Sequence, residues 1–282
     1  MSFHKCIISL LACFGLAGCN QAQTRIDSVE ALATDHGLTK ITLQTETFSL
    51  VSYQSITKAD AVATFYIEGD GLAWLNRKRI SPNPTPKNPV ALKLALTDPS
   101  ANVIYLARPC QYVDLETEKH CRSDYWTTKR LAPEVVASMD EAITQIKQRA
   151  DIDKIRLVGY SGGGAIAAIL AATRDDVIDF RTVAGNLDID MFARHHKVTP
   201  LIGSMNPVDF AETLTNIPQI HFVGEKDDII TRPITESYIN NLKEYDVNLR
   251  CVKVHQIKNA SHTRGWETVW QRYADEVVEC KR

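Results

Sequence analysis

The chain has 282 residues, of which 44% are hydrophobic and 23% charged, with 32 Lys and Arg against 34 Asp and Glu. Those fractions exclude a disordered, collagenous or low-complexity polymer. A net charge of −2 leaves no basic excess for a phosphate backbone, which speaks against nucleic-acid binding, and the length fits one large α/β domain or two small ones.

Taken in chain order, residues 1–5 carry one fixed cation, Lys5, and residues 6–16 form an uncharged apolar run. Such a run is shorter than the ~18–20 residues a spanning helix needs. Leu16-Ala17-Gly18 then precede Cys19. This order resembles the bacterial lipobox. The resemblance implies a leader over residues 1–18, an acylated Cys19 and a lipid-tethered segment over residues 19–38, anchoring the protein to a membrane of the bacterial cell envelope. Asn20, in place of Asp, implies outer-membrane sorting in a Gram-negative cell. An ordinary secretory signal cut after Gly18 is the alternative.

Within that segment, a short helix is predicted around Asp27–His36. Ile41–Leu43, Phe48–Tyr53 and Ala61–Ile67 read as strands, and their close spacing predicts an antiparallel meander. Asn88–Leu96 has helical spacing. Val103–Leu106 is a continuous apolar run, as in a strand buried on both faces. Leu131–Ala150 is the longest predicted helix, with apolar residues recurring at three and four and Pro133 near its start. Ile155–Tyr160 is a strand, Gly162–Thr173 a helix, and Phe180–Ala184, Ile220–Val223 and Arg250–Gln256 are strands. Trp266–Val277 is predicted as the closing helix. Residues 185–218 are irregular and read as a small cap or insertion over the carboxyl edge of the sheet, within a body spanning 39–282. The alternation predicts a mostly parallel central sheet with helices on both faces.

Of the seven cysteines, Cys6 and Cys13 fall in the leader and Cys19 in the lipobox. The other four allow three disulfide pairings in an oxidising compartment. Cys110–Cys121 is favoured by its short polar loop, and Cys251–Cys280 because it would pin the C-terminal helix. No C-x-x-C pair suggests zinc, and no cofactor or metal is expected.

Gly159-Tyr160-Ser161-Gly162-Gly163 fits G-x-S-x-G between a predicted strand and a predicted helix. A nucleophile on so sharp a turn leaves no room for a Cβ two positions away. The helix start also aims N–H groups and a positive dipole end at the reacting centre. A base and an orienting acid must follow. Asp227 lies in the loop after Ile220–Val223, and His262 lies in the loop before the last helix. Both are strand-end loops on the edge that carries Ser161. Asp228 is a rival acid. His255 and His221 are rival bases but fall within strands. The adjacent His195 and His196 read as a solvated loop. Lys226 and Arg264 are cations near the site, and Arg108–Tyr112 with Tyr125 and Trp126 either shapes a pocket or staples a loop.

The Gly-Tyr-Ser-Gly-Gly turn, the segment Gly224–Ile230 and Ala260-Ser261-His262 together resemble the α/β-hydrolases over roughly residues 39–278, most closely uncharacterised bacterial members, some with lipoprotein signals. The resemblance implies the α/β-hydrolase fold, with Ser161 as nucleophile, Asp227 as acid and His262 as base. It places an oxyanion hole at the backbone N–H of Gly162 and at that of Asp70, in a Gly-rich bend where Glu68-Gly69 stands instead of the family's His-Gly. The implied activity is that of a serine hydrolase forming an acyl-enzyme on a small-molecule or peptidic acyl substrate, with carboxylesterase chemistry favoured. A peptidase or thioesterase on the same residues is one alternative, and a non-catalytic envelope lipoprotein using the fold as a binding module is the other.

Overall fold

The structure, a computed structural model, describes residues 8–280, with side chains from Gln21 onward. Residues 1–7 and the side chain of Cys19, on which the leader and acylation readings depend, lie outside the described residues. A first helix, α1, runs from Ile8 to Asp35. The segment read as a tether with a short helix is therefore continuous helix, and its C-terminal half is docked. Val29 and Ala33 are buried, and Arg25 Nη1 donates to Thr85 O at 2.6 Å. Among the described residues no helix is long and apolar enough to cross a membrane.

Ten strands follow: β1 (Thr39–Gln44), β2 (Ser49–Ile56), β3 (Ala63–Ile67), β4 (Trp74–Asn76), β5 (Arg79–Ile80), β6 (Asn102–Leu106), β7 (Ile155–Tyr160), β8 (Val177–Val183), β9 (Gln219–Gly224) and β10 (Val252–Ile257). Eight of them form one sheet in the order β1-β2-β6-β3-β7-β8-β9-β10, and β4 and β5 form a separate hairpin. β1 and β2 are antiparallel, as is β2 with β6, and every later pairing is parallel. The expected three-strand meander is thus only two strands long. β6 inserts between β2 and β3, so β3 pairs in parallel on both sides. The hydrophobic content of β3 explains this: all five of its residues are buried, as a central strand requires.

Seven more helices cover the sheet: α2 (Val90–Ala95), α3 (Pro133–Ala150), α4 (Gly162–Thr173), α5 (Ile189–His196), α6 (Ala211–Leu214), α7 (Arg232–Lys243) and α8 (Glu267–Tyr273). Alternation along the strands sends Phe65, Ile67, Ile104 and Leu157 to one face, beneath α3, α4, α6 and α7. Tyr66, Tyr105, Val158 and Phe222 go to the other face, beneath α1, α2 and α8. α4 is apolar all round, and Gly162 through Ala171 are all buried, as such a helix must be. Pro133 opens α3, where its missing N–H has no intrahelical partner to lose. α7 and the β4–β5 hairpin are elements the sequence reading did not include, and residues 185–218, read as irregular with His195 and His196 in a solvated loop, instead contain α5, whose last turn carries both histidines, and α6.

Both favoured disulfides, Cys110–Cys121 and Cys251–Cys280, are formed. The second ties the start of β10 to the segment after α8, rather than α8 itself. The same C-terminal segment is held by Arg181, whose guanidinium donates to the carbonyls of Tyr273, Ala274 and Glu276.

Candidate active site

The parallel register brings Ile67 opposite Gly159, Tyr160 opposite Val183, and Gly224 opposite Ile257. The loops after β3, β7, β8, β9 and β10 therefore all open on one edge. Ser161 sits at the end of β7 as the residue before α4, with φ 52° and ψ −118°. A positive φ is costly for a residue with a Cβ, and such strain recurs at functional turns. The turn is so tight that a Cβ on Gly159 would lie 2.2 Å from Gly163 O. It is braced by Ser161 N donating to Val183 O and by Asn186 N donating to Ser161 O, each at 3.0 Å.

His262 Nε2 is 3.1 Å from Ser161 Oγ. His262 Nδ1 is 3.0 Å from Asp227 Oδ2 and 3.2 Å from Oδ1. Asp227 Oδ1 also accepts the N–H groups of Ile229 and Ile230, both at 2.9 Å, so the carboxylate has one orientation. The two loops are stitched together, with Lys226 N donating to Ala260 O at 2.8 Å and Glu225 N to Ile257 O at 3.0 Å. Tyr160 Oη and Trp266 Nε1 both donate to His262 O at 3.0 Å. These two residues position the histidine from behind, and the sequence reading did not single them out. Their only signal was their place beside the G-x-S-x-G serine and at the start of the last helix.

The rivals separate cleanly. Asp228 is exposed, whereas the Asp227 side chain is fully buried against His262. His221 lies in β9 between Thr182 Oγ1 and Gln219 Oε1, and burial pushes its imidazole down to about 3, so it is neutral and fully engaged. His255 Nε2 is 2.8 Å from Glu276 Oε2 on the far edge strand. His195 meets Thr231 Oγ1 at 3.0 Å and His196 meets Ile229 O at 2.6 Å. No group of metal-ligating side chains occurs among the described residues.

The Glu68–Gly71 bend after β3 closes over Ser161. A Cβ on Gly162 would stand 2.1 Å from Asp70 Oδ1, so this bend and the Ser161 turn are in direct contact. Among the described residues, neither the Gly162 N–H nor the Asp70 N–H donates to a protein acceptor. Asp70 is clamped between two guanidiniums, Arg130 Nη1 at 2.6 Å and Arg108 Nη1 at 3.5 Å. Arg108 also donates to Arg130 O, and Gln111 Nε2 donates to Gly69 O at 2.9 Å. Arg108–Tyr112 therefore buttresses the bend instead of lining a pocket. Tyr125 and Trp126 are likewise committed elsewhere, to Glu134 Oε1 and to Ser81 O.

Glu68 is the buried acid of this bend. Its carboxylate accepts the Gly69 N–H at 2.9 Å and the Tyr105 hydroxyl at 3.3 Å. Burial nevertheless pushes its carboxyl up to about 7, and the backbone N–H groups of Gly69, Ala91 and Leu92 only partly offset that. A carboxyl raised in the folded state binds its proton more tightly there than in the unfolded chain. Its contribution to stability is therefore full below about 4.5 and declines as the pH rises to about 7. The Glu68→Gln variant is expected to lose that slope. Urea unfolding at pH 5 and pH 7.5 checks it, and an unchanged difference between the two pH values would refute the assignment.

A cavity of about 410 Å³ opens at Ser161 and His262. Its walls include Leu72, Trp74, Asn186, Phe192 and Ile230. The cations lining it are Arg130 and Lys87; Lys226 and Arg264, noted as cations near the site, do not line it. Of residues 110–130 only Arg130 reaches it, and of 185–218 only Asn186 and Phe192.

Neither protein-family profiles nor curated protein sequences give a match to the chain. Solved structures do. An esterase of Pyrococcus furiosus superposes with a TM-score of 0.61 at 10% identity, covering 85% of this chain and 88% of the other. An alpha-beta serine hydrolase homologue from Coxiella burnetii gives 0.55 at 14% identity, over 84% and 94%. The fold is that of the α/β-hydrolases. An acylaminoacyl peptidase of Pyrococcus horikoshii gives 0.59 at 12% identity, over 84% of this chain but 40% of its own. At these identities the likeness carries the α/β-hydrolase architecture alone.

Proposed function

We propose that the chain is a serine hydrolase of carboxylesterase type, acting through Ser161, His262 and Asp227. The observation that carries this reading is the continuous run of contacts from Ser161 Oγ through His262 to Asp227, at 3.1 and 3.0 Å. Ser161 Oγ attacks the acyl carbonyl and passes its proton to His262 Nε2. Asp227 accepts from Nδ1–H, fixing the tautomer and stabilising the imidazolium. The oxyanion takes the free N–H groups of Gly162 and Asp70, with the start of α4 behind the first. His262 then returns the proton to the leaving alcohol. Water, deprotonated by the same nitrogen, releases the acid and restores Ser161.

An amide-bearing substrate is a second reading, favoured by one atom. Asn186 Oδ1 is buried beside Ser161 with no partner among the described residues, and it suits a substrate N–H. For location, the lipobox-like order at Leu16–Cys19 supports a lipid-anchored protein of the bacterial envelope, on a membrane surface.

Treatment of the full chain with a fluorophosphonate tests the reading. A phosphonyl adduct on the Ser161 peptide, absent from Ser161→Ala, is the expected result. A folded protein without that adduct would refute it and favour a binding module on the same fold.

A further inference from the structure

The β4–β5 hairpin reads Trp74-Leu75-Asn76-Arg77-Lys78-Arg79-Ile80, and all seven residues are exposed. Trp74 is 41% exposed, and Leu75 and Ile80 are each 38% exposed. Its turn is set rather than loose, because Asn76 Oδ1 accepts the N–H groups of Lys78 and Arg79 at 2.9 and 3.0 Å. Its base is fixed by Ser81 N donating to Ala73 O and by Trp126 Nε1 donating to Ser81 O. Among the described residues no carboxylate pairs with Arg77, Lys78 or Arg79. Three consecutive free cations thus stand between three uncovered apolar side chains, on a chain whose net charge is −2.

Two neighbours give this surface a direction. Trp74 and Leu72 line the Ser161 cavity. Leu75 and Leu72 line a second cavity of about 540 Å³, shared with Gln21, Arg25 and Val29 of α1. The first strand of the hairpin, the cleft mouth and the Gln21–Leu32 part of α1 therefore lie together. Gln21 is two residues from Cys19, about 3 Å along a helix.

We propose that the Trp74–Ile80 hairpin docks on an anionic phospholipid surface and holds the mouth of the Ser161 cleft against it. Indole and aliphatic side chains settle at the headgroup level of a bilayer, while Arg and Lys meet its negative charge. Each cation strengthens association roughly fivefold near such a surface, so three give on the order of 100-fold over a neutral bilayer. The contact goes beyond hydrolysis and does not depend on it.

The four tryptophans supply the test, because Trp126, Trp266 and Trp270 are buried and Trp74 alone is exposed. The full chain is mixed with phosphatidylcholine vesicles, with and without phosphatidylglycerol, carrying brominated acyl chains. Flotation reports association, and tryptophan quenching reports immersion of the hairpin. The expected result is strong quenching on the anionic vesicles only, lost in Trp74→Phe. In the triple variant Arg77→Ala, Lys78→Ala, Arg79→Ala, quenching falls toward the level on neutral lipid, with the near-ultraviolet circular dichroism unchanged. Floating protein without Trp74 quenching would overturn the proposal, as would equal quenching on neutral lipid or no flotation at all. Fluorophosphonate labelling of the same samples reads the hydrolase separately, so failure of one reading is distinguishable from failure of the other.

Discussion

Ser161→Ala is expected to lower turnover of a short-chain ester by about four to six orders of magnitude, while the thermal midpoint stays within a few degrees of the parent. The two halves of this expectation have separate physical causes. The Ser161 hydroxyl is the one that faces His262 Nε2, the Tyr160 hydroxyl of the same turn being committed to His262 O, and nothing replaces it. The fold loses only one hydrogen bond, that between Ser161 Oγ and His262 Nε2 at 3.1 Å, worth about 1 kcal/mol. His262 remains held by Asp227 and by the donors on its carbonyl, Tyr160 and Trp266. His262→Ala should cost nearly as much as Ser161→Ala, and the double variant little more, because groups that act as a unit do not add. Steady-state kinetics on an ester panel checks this. Turnover within tenfold of the parent in Ser161→Ala would remove the nucleophile from Ser161.

The parts of this site that were legible in the sequence are those fixed by local sterics. The Ser161 turn announces itself because a Cβ on Gly159 would meet the Gly163 backbone and one on Gly163 the backbone of Ile67 and Glu68, and because the G-x-S-x-G pattern stands between a strand and a helix. The limits of β7 and α4 are readable for the same reason. Strand order is different: nothing in Ala63–Ile67 shows that β6, some 35 residues later, will slide between it and β2. α7 was invisible because its buried residues are few, Ile234, Thr235, Tyr238 and Leu242, in an otherwise polar run. The end of α1 was legible as a short helix around Asp27–His36, but its continuation toward Gln21 was not, since Ala22 is the only buried residue between Gln21 and Asp27. The β4–β5 hairpin lacks the Gly that usually marks a tight turn, and Asn76 does the work with its side chain. Arg108, Arg130 and Asp70 are far apart in the chain. Their meeting is tertiary, and no local pattern encodes it.

That meeting leads to the second large effect. Asp70→Ala is expected to destabilise the protein by about 3–5 kcal/mol, lowering the thermal midpoint by on the order of 10 °C. Asp70 is the only carboxylate paired with either Arg108 or Arg130 among the described residues. Arg108 is fully buried, and burial lowers its guanidinium only to about 10 because the Asp70 charge opposes the drop, so it stays protonated at neutral pH. Its Nε already lacks a partner. Removing the carboxylate leaves two like charges facing each other, and Arg108, unlike the partly exposed Arg130, has almost no access to solvent. Asp70→Asn keeps the shape and loses the charge, so most of the loss should persist. Arg130→Ala should cost less, since Arg108 and Asp70 still neutralise each other. The Ala variant keeps its backbone N–H at residue 70, so any fall in turnover by the folded fraction at low temperature comes from displacement of that N–H and not from its removal. Denaturant unfolding of the three variants beside ester turnover at 10 °C separates these terms. A loss below about 1 kcal/mol in Asp70→Ala would mean that the bend is held by Glu68 and Gln111 instead, and that the charged clamp has another role.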